Sequence, residues 1–114
     1  MPPGFRPADY LQDPDQFGRT PEPDWREVDD EEAPYLAASQ LQHRIAYQLR
    51  TTYGTDAPRA VAEHLGQPYR TDYIRRKLNG QVPLNLVELF QWAQKLGIDL
   101  AGYLAELREG GTNR

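Results

Sequence analysis

The chain has 114 residues, enough for one hydrophobic core but not two, and no apolar run approaches the roughly 20 residues that a bilayer crossing needs. It contains no cysteine, which excludes a disulfide framework and thiolate metal sites. The formal net charge of −4 is unevenly divided: residues 1–34 carry ten Asp and Glu against three Arg, a net of −7, while residues 35–114 carry ten Lys and Arg against seven acids, a net of +3. Attraction to phosphate depends on the local field, so an acidic total does not exclude a nucleic-acid partner.

Residues 1–33 read as an acidic, proline-rich N-terminal tail, partly disordered or docked. Seven of the ten prolines lie in the first 34 residues, beside Asp29-Asp30-Glu31-Glu32, a composition unfavourable to helix and core alike. The opening MPPGFRPADY lacks the charged start and apolar stretch of a secretory signal, so the expected location is the cytoplasm. Phe5, Tyr10, Leu11, Phe17, Trp25 and Val28 are nevertheless more apolar anchors than an inert linker needs. Two readings stay open: a solubilising extension, or a segment that folds over a basic face or binds a protein partner.

Residues 34–110 read as one helical domain. Leu41, Ile45 and Leu49, with Ala38 and Ala46 beside them, mark the apolar face of a first helix over about 33–53, ended by Gly54. Asp56 is the expected cap of a second helix, with Pro58 in its first turn and Val61, Ala62 and Leu65 in the core. Gly66-Gln67-Pro68 interrupts the chain, and a third helix follows over 71–78, stopped by Asn79-Gly80. Asn85 and Glu88 form a variant capping box for a fourth helix, whose expected buried stripe is Leu86, Leu89, Phe90, Ala93 and Leu96, with Trp92 at its edge and Gly97 beyond its end. Asp99 caps a fifth helix with Leu100, Tyr103, Leu104 and Leu107 on one face, ended by Gly110. The fold class expected is therefore all-α, a five-helix bundle with an N-terminal acidic extension.

The stretches AVAEHLG, YIRRKLNG and LNLVELFQWAQKLGIDL resemble the lambda-repressor-like (Xre-type) helix-turn-helix family. The match covers residues 56–99 and rests on Ala62 within the second helix, Leu65-Gly66 at the turn, Ile74 in the third helix, Asn79-Gly80 after it, and Leu96-Gly97-Ile98. A small residue at 62 lets the second and third helices approach closely, and Gly66 permits a turn closed to other residues. The sequence departs from the family in a longer turn around Pro68-Tyr69, in Leu78 where an acidic residue is usual, and in Lys77 where an apolar one is common.

The resemblance implies a regulator that binds double-stranded DNA as a homodimer on the nucleoid, with the third helix in the major groove. Counting back from Asn79, it points to Thr71, Asp72 and Arg76 as base contacts. Helical geometry, with Ile74 and Leu78 inward, independently sends Asp72, Arg76 and Tyr73 outward. Arg76 is the leading candidate, because a guanidinium can bridge guanine O6 and N7. Asp72 either accepts from a cytosine amino group or orients Arg76. Tyr73 either meets a thymine methyl or a phosphate, or fills the enlarged turn with Tyr69. Arg70, Arg75 and Lys77 are expected phosphate contacts, with Arg59, Asn79 and Gln81 secondary. Leu84 and Val87 leave a dimer surface open beside the fifth helix.

His43 and His64 lie on different helices without cysteine or paired carboxylates at ligand spacing, and read as surface or capping histidines. With no phosphate loop or nucleophile elbow, no catalytic residues, metal or cofactor are expected, and the chain is not expected to be an enzyme. The alternative function is an interaction module, such as an antitoxin or adaptor, using the acidic tail to hold a protein partner.

Overall fold

The computed structural model describes residues 4–112, with side chains through Arg108; the first three residues of the expected tail lie outside it. Its α-helices are α1 (Ala33–Tyr53), α2 (Ala57–His64), α3 (Thr71–Leu78), α4 (Leu86–Leu96) and α5 (Leu100–Thr112). Short 3₁₀ turns occupy Pro7–Tyr10, Pro14–Gln16, Gly54–Asp56 and Pro68–Arg70. Among the described residues there is no strand, only an isolated antiparallel bridge between Leu11 and Trp25. The architecture is all-α.

Helix α1 is the axis of the molecule. Pro34 stands in its first turn, where no backbone donor is needed, and Gly54, at φ 72°, terminates it. Its buried face comprises Ser39, Gln42, His43, Ile45, Ala46 and Leu49. Leu41 is only half-buried and Ala38 is exposed, so the face is turned from the expected apolar stripe and includes polar side chains. Burying such groups is tolerable only if they are hydrogen-bonded. Gln42 donates through Nε2 to the carbonyls of Lys77 (2.8 Å) and Val82 (3.0 Å), and its Oε1 accepts from the Leu84 N–H (2.8 Å). One side chain thereby fixes the irregular connection from α3 to α4.

His43 fixes the other irregular segment. Its Nδ1 accepts from the Gly18 N–H at 2.8 Å, and its Nε2 lies 2.9 Å from the Thr20 carbonyl. That pairing requires the neutral ring, protonated on Nε2. The ring stands edge-on to Phe17 and Trp25 and lies near Tyr47. The expectation of a surface or capping histidine is corrected for His43: it is a buried core residue. His64 is exposed, with Nδ1 2.8 Å from the Ala60 carbonyl.

The N-terminal segment is docked. Tyr10, Leu11 and Phe17 are buried, and Leu11 and Phe17 belong to the same core as Ile45, Val61, Ile74, Leu78 and Trp92. Hydrogen bonds from the Gln12 N–H to Asp24 O (3.0 Å) and the Arg26 N–H to Tyr10 O (2.9 Å) close the loop between them. Gly80, at φ 71°, is where this loop meets the end of α3: a Cβ there would come within 2.7 Å of the Phe17 ring, and the Gly80 carbonyl accepts from the Ala8 N–H at 2.9 Å.

Helices α2 and α3 pack through Val61, Ala62 and Leu65 against Ile74 and Leu78, all buried. Asp56 makes no side-chain cap on α2, contrary to expectation; the 3₁₀ turn Gly54–Asp56 leads into the helix, and Asp56 instead pairs with Arg59 at 3.2 Å. The enlarged turn between α2 and α3 is the 3₁₀ segment Pro68–Arg70. The Asn85–Glu88 capping box is present. Trp92 is buried, in line with core packing at the edge of the α4 stripe, and the stripe is corrected at Leu86 and Phe90, which are 68% and 53% exposed. Asp99 Oδ1 accepts from the Gly102 N–H at 3.0 Å, and α5 continues past Gly110 to Thr112.

Burial lowers the pKa of His43, a tendency the Thr20 bond opposes and neighbouring Arg44 reinforces. The unfolded chain therefore takes up a proton that the folded chain resists. Stability is expected to be full above about pH 6.5 and to fall as pH drops from there toward the depressed folded pKa. His43→Phe should remove that histidine's share of the dependence and cost about 1–3 kcal/mol at neutral pH by stranding Gly18 N–H. Urea unfolding at several pH values measures both; a His43 ring that titrates above the ordinary histidine value in NMR would contradict the assignment.

Candidate nucleic-acid interface

Helix α3 has eight residues and is held from behind by Ile74 and Leu78. Asp72, Arg75 and Arg76 are exposed on its outer side. Asp72 forms an ion pair with Arg75, three residues on, rather than with Arg76, so the expected orientation of Arg76 by Asp72 is corrected. Among the described residues, Arg76 has neither an ion pair nor a side-chain hydrogen bond. Its side chain retains its donors and its charge. Thr71 is half-buried, and its hydroxyl donates to the Pro68 carbonyl at 3.1 Å, closing the turn that feeds the helix.

Two expected contacts point elsewhere. Lys77 is buried: its Nζ donates to the Pro83 carbonyl (2.6 Å) and to Glu88 Oε1 (2.8 Å), so it cannot serve as a phosphate contact. Tyr73 is half-buried, and its hydroxyl donates to Glu88 Oε2 at 2.6 Å, which takes it out of the base-contacting set. The reason for both is Glu88 on α4. Burial alone would raise the pKa of its carboxyl group, but the Asn85 N–H, the Lys77 ammonium and the Tyr73 hydroxyl outweigh that and hold it below the ordinary value. A buried cation next to a carboxylate so satisfied remains paired rather than turning to solvent.

The Tyr73 ring also makes a shelf. The Arg70 guanidinium lies 3.8 Å from its centroid on one side of the helix, and Lys77 Nζ lies 4.7 Å from it. Stacking of this kind restricts Arg70 without neutralising it. Arg59 is exposed on α2 but paired with Asp56. Gln81 is exposed just beyond α3, and its N–H donates to the Arg76 carbonyl at 2.9 Å.

Asn79, a secondary phosphate contact in the sequence reading, is engaged through its side-chain oxygen. Its Oδ1 accepts from both Arg19 (3.1 Å) and Arg50, bringing guanidinium groups from the N-terminal segment and from α1 to the end of α3. The sequence reading missed both arginines at this face. Nothing local marks them, because Arg19 lies 60 residues from Asn79 and Arg50 lies 29 residues away. The structure thus gathers Arg75, Arg76 and Arg70 around α3, adds Arg19 and Arg50 at its end, and removes Lys77 and Tyr73. Among the described residues, no cluster of His, Cys, Asp or Glu is arranged to hold a metal ion, and no helix is long and apolar enough to cross a membrane.

No protein-family model matches this chain, and no curated protein or solved structure matches it either.

Side-chain exposures of 5% for Lys77 and 12% for Glu88 place that ion pair in the interior. Breaking it with Lys77→Met is expected to cost about 3–5 kcal/mol, and Lys77→Met with Glu88→Leu to recover most of the loss. Arg76→Ala, on the exposed side of the same helix, is expected to change stability by no more than about 0.5 kcal/mol. Denaturant unfolding of the variants separates the inward from the outward cation; equal costs at Lys77 and Arg76 would contradict this division of the helix.

Proposed function

We propose that this chain is a sequence-specific regulator of transcription that binds double-stranded DNA, repressor-like in action, with α3 in the major groove in the manner of the lambda-repressor-like family that residues 56–99 resemble. The observation that carries the reading is the exposed, unpaired Arg76 on the outer face of α3, in the last turn of a helix whose aliphatic side is fully buried. A guanidinium so presented can make a bidentate contact with guanine O6 and N7. Asp72 would accept from a cytosine amino group once a phosphate competes for Arg75. Arg70, stacked on Tyr73, would face the backbone of a duplex bound in this way. Regulation would then follow from occupancy of the site.

A single eight-residue helix reads few base pairs, so two copies on paired half-sites are the working form under this proposal. Of the large apolar side chains left exposed, Leu86, Val87 and Phe90 lie together on α4, which suits a second copy of the same chain. An adaptor role through the acidic segment has less support, because Tyr10, Leu11 and Phe17 are already committed to the core.

Arg76→Ala is expected to weaken binding to the preferred sequence by about 1–3 kcal/mol and to relax selectivity at one position, while leaving binding to unrelated duplexes nearly unchanged. Selection of bound sequences from a random duplex pool, followed by titration of the wild-type and variant proteins, measures this. A wild-type protein that enriches no sequence would overturn the proposal. Val87→Glu with Phe90→Glu should convert a concentration-dependent dimer into a monomer in sedimentation and lower affinity for a double half-site; an unchanged association state would remove α4 as the seam.

A further inference from the structure

Where the N-terminal segment crosses the end of α3, charges are arranged in a way that packing does not explain. Arg19 and Arg50 donate to the same oxygen, Asn79 Oδ1. A neutral amide oxygen does not offset two positive charges, and like charges held close together repel. Among the described residues, neither guanidinium has a carboxylate within ion-pair distance. The Arg50 Nε is buried and has no hydrogen-bond partner. Burial depresses the Arg50 pKa, and the positive charges of Arg19 and Arg75 add to the effect.

The carbonyl end of α3 attracts cations, but Arg75 and Arg76 already stand in its last turn. Two further guanidinium groups exceed what that dipole calls for. Shallow clefts open on both sides of Arg19, one bordered by Tyr47, Arg50 and Thr51 and free of carboxylates, the other by Arg6, Asn79 and Gln81 with Asp15 at its edge. Each guanidinium carries five N–H donors in a planar fork that matches a phosphate, and here most of them are unused.

We propose that Arg19 and Arg50, held in register by Asn79, form a clamp for one backbone phosphate of the duplex that α3 reads. This rests on the DNA-binding reading above and extends the interface onto the N-terminal segment. Asn79 is then a positioning residue, which aligns the two arginines instead of meeting the phosphate itself. The docked, acidic segment contributes to the binding surface through Arg19.

The test uses the full chain and duplexes of random and preferred sequence, titrated over a range of salt. Arg19→Gln, at an exposed side chain, should leave the melting temperature unchanged and lower affinity for every sequence alike. The log–log salt slope should fall by about 0.9, so that the affinity lost between about 50 and about 200 mM salt shrinks roughly threefold. Arg50→Gln should lower the slope by a similar amount. Asn79→Asp would supply the missing carboxylate and should raise the melting temperature while weakening DNA binding. Arg19→Gln with an unaltered slope, in a protein that still selects its sequence through Arg76, overturns the clamp and leaves the proposed function standing. A wild-type protein that binds no duplex overturns both. Saturation of the Arg19 and Arg50 Nε NMR signals by inorganic phosphate, at matched ionic strength and without a DNA effect, would assign the cleft to a free anion and also overturn it.

Discussion

Two adjacent side chains on α1 hold together what the helices alone would leave loose. Gln42 satisfies one backbone group in the last turn of α3 and two on the connection from α3 to α4, and His43 satisfies two on the N-terminal segment. At these groups neither segment has a helix or strand partner of its own, and buried amides must be met. Neither residue has an apolar substitute that would do the same work, so the hydrophobic face of α1 is interrupted at the point where the rest of the molecule is attached. Phe17, Trp25 and the core around Ile45 then close over these bonds, and the low polarity that results strengthens them.

The polarity of α3 is settled by a similar division of labour. On one side Lys77 and Tyr73 converge on Glu88, and their charge and hydroxyl are absorbed inside the protein. On the other side Arg75 and Arg76 remain in water. The clustered RRK sequence thus contains two surface cations and one structural one, and an overall charge of −4 coexists with a locally basic face. The 3₁₀ turn before α3 and this partition support each other: an internal ion pair orients the helix about its axis, which a small aliphatic core by itself does only loosely.

Features set by neighbours in the chain were legible in advance. The limits of α3 at Thr71 and Leu78, the Asn85–Glu88 box and the arrest of α1 at Gly54 all follow from local capping and turn chemistry. What distant residues decide was not. A helical wheel placed Ile74 and Leu78 inward but gave no sign that Glu88 would draw Lys77 after them. His43 looked peripheral because its partners lie 25 and 23 residues away. Leu86 and Phe90 were assigned to the core simply as apolar residues at helical spacing, whereas Trp92, with the larger area to bury, took that side of α4. Arg19 and Arg50 carried no sequence signal at all, since only the fold makes them neighbours.

The contact between Phe17 and Gly80 bears on how the molecule assembles. Phe17 leaves the ribosome long before Gly80, and its burial site does not exist until α1, α2 and α3 have packed. Joining residues so far apart in the chain carries a loop-closure cost that is met only with those three helices in place, so the contact is expected to form late in folding.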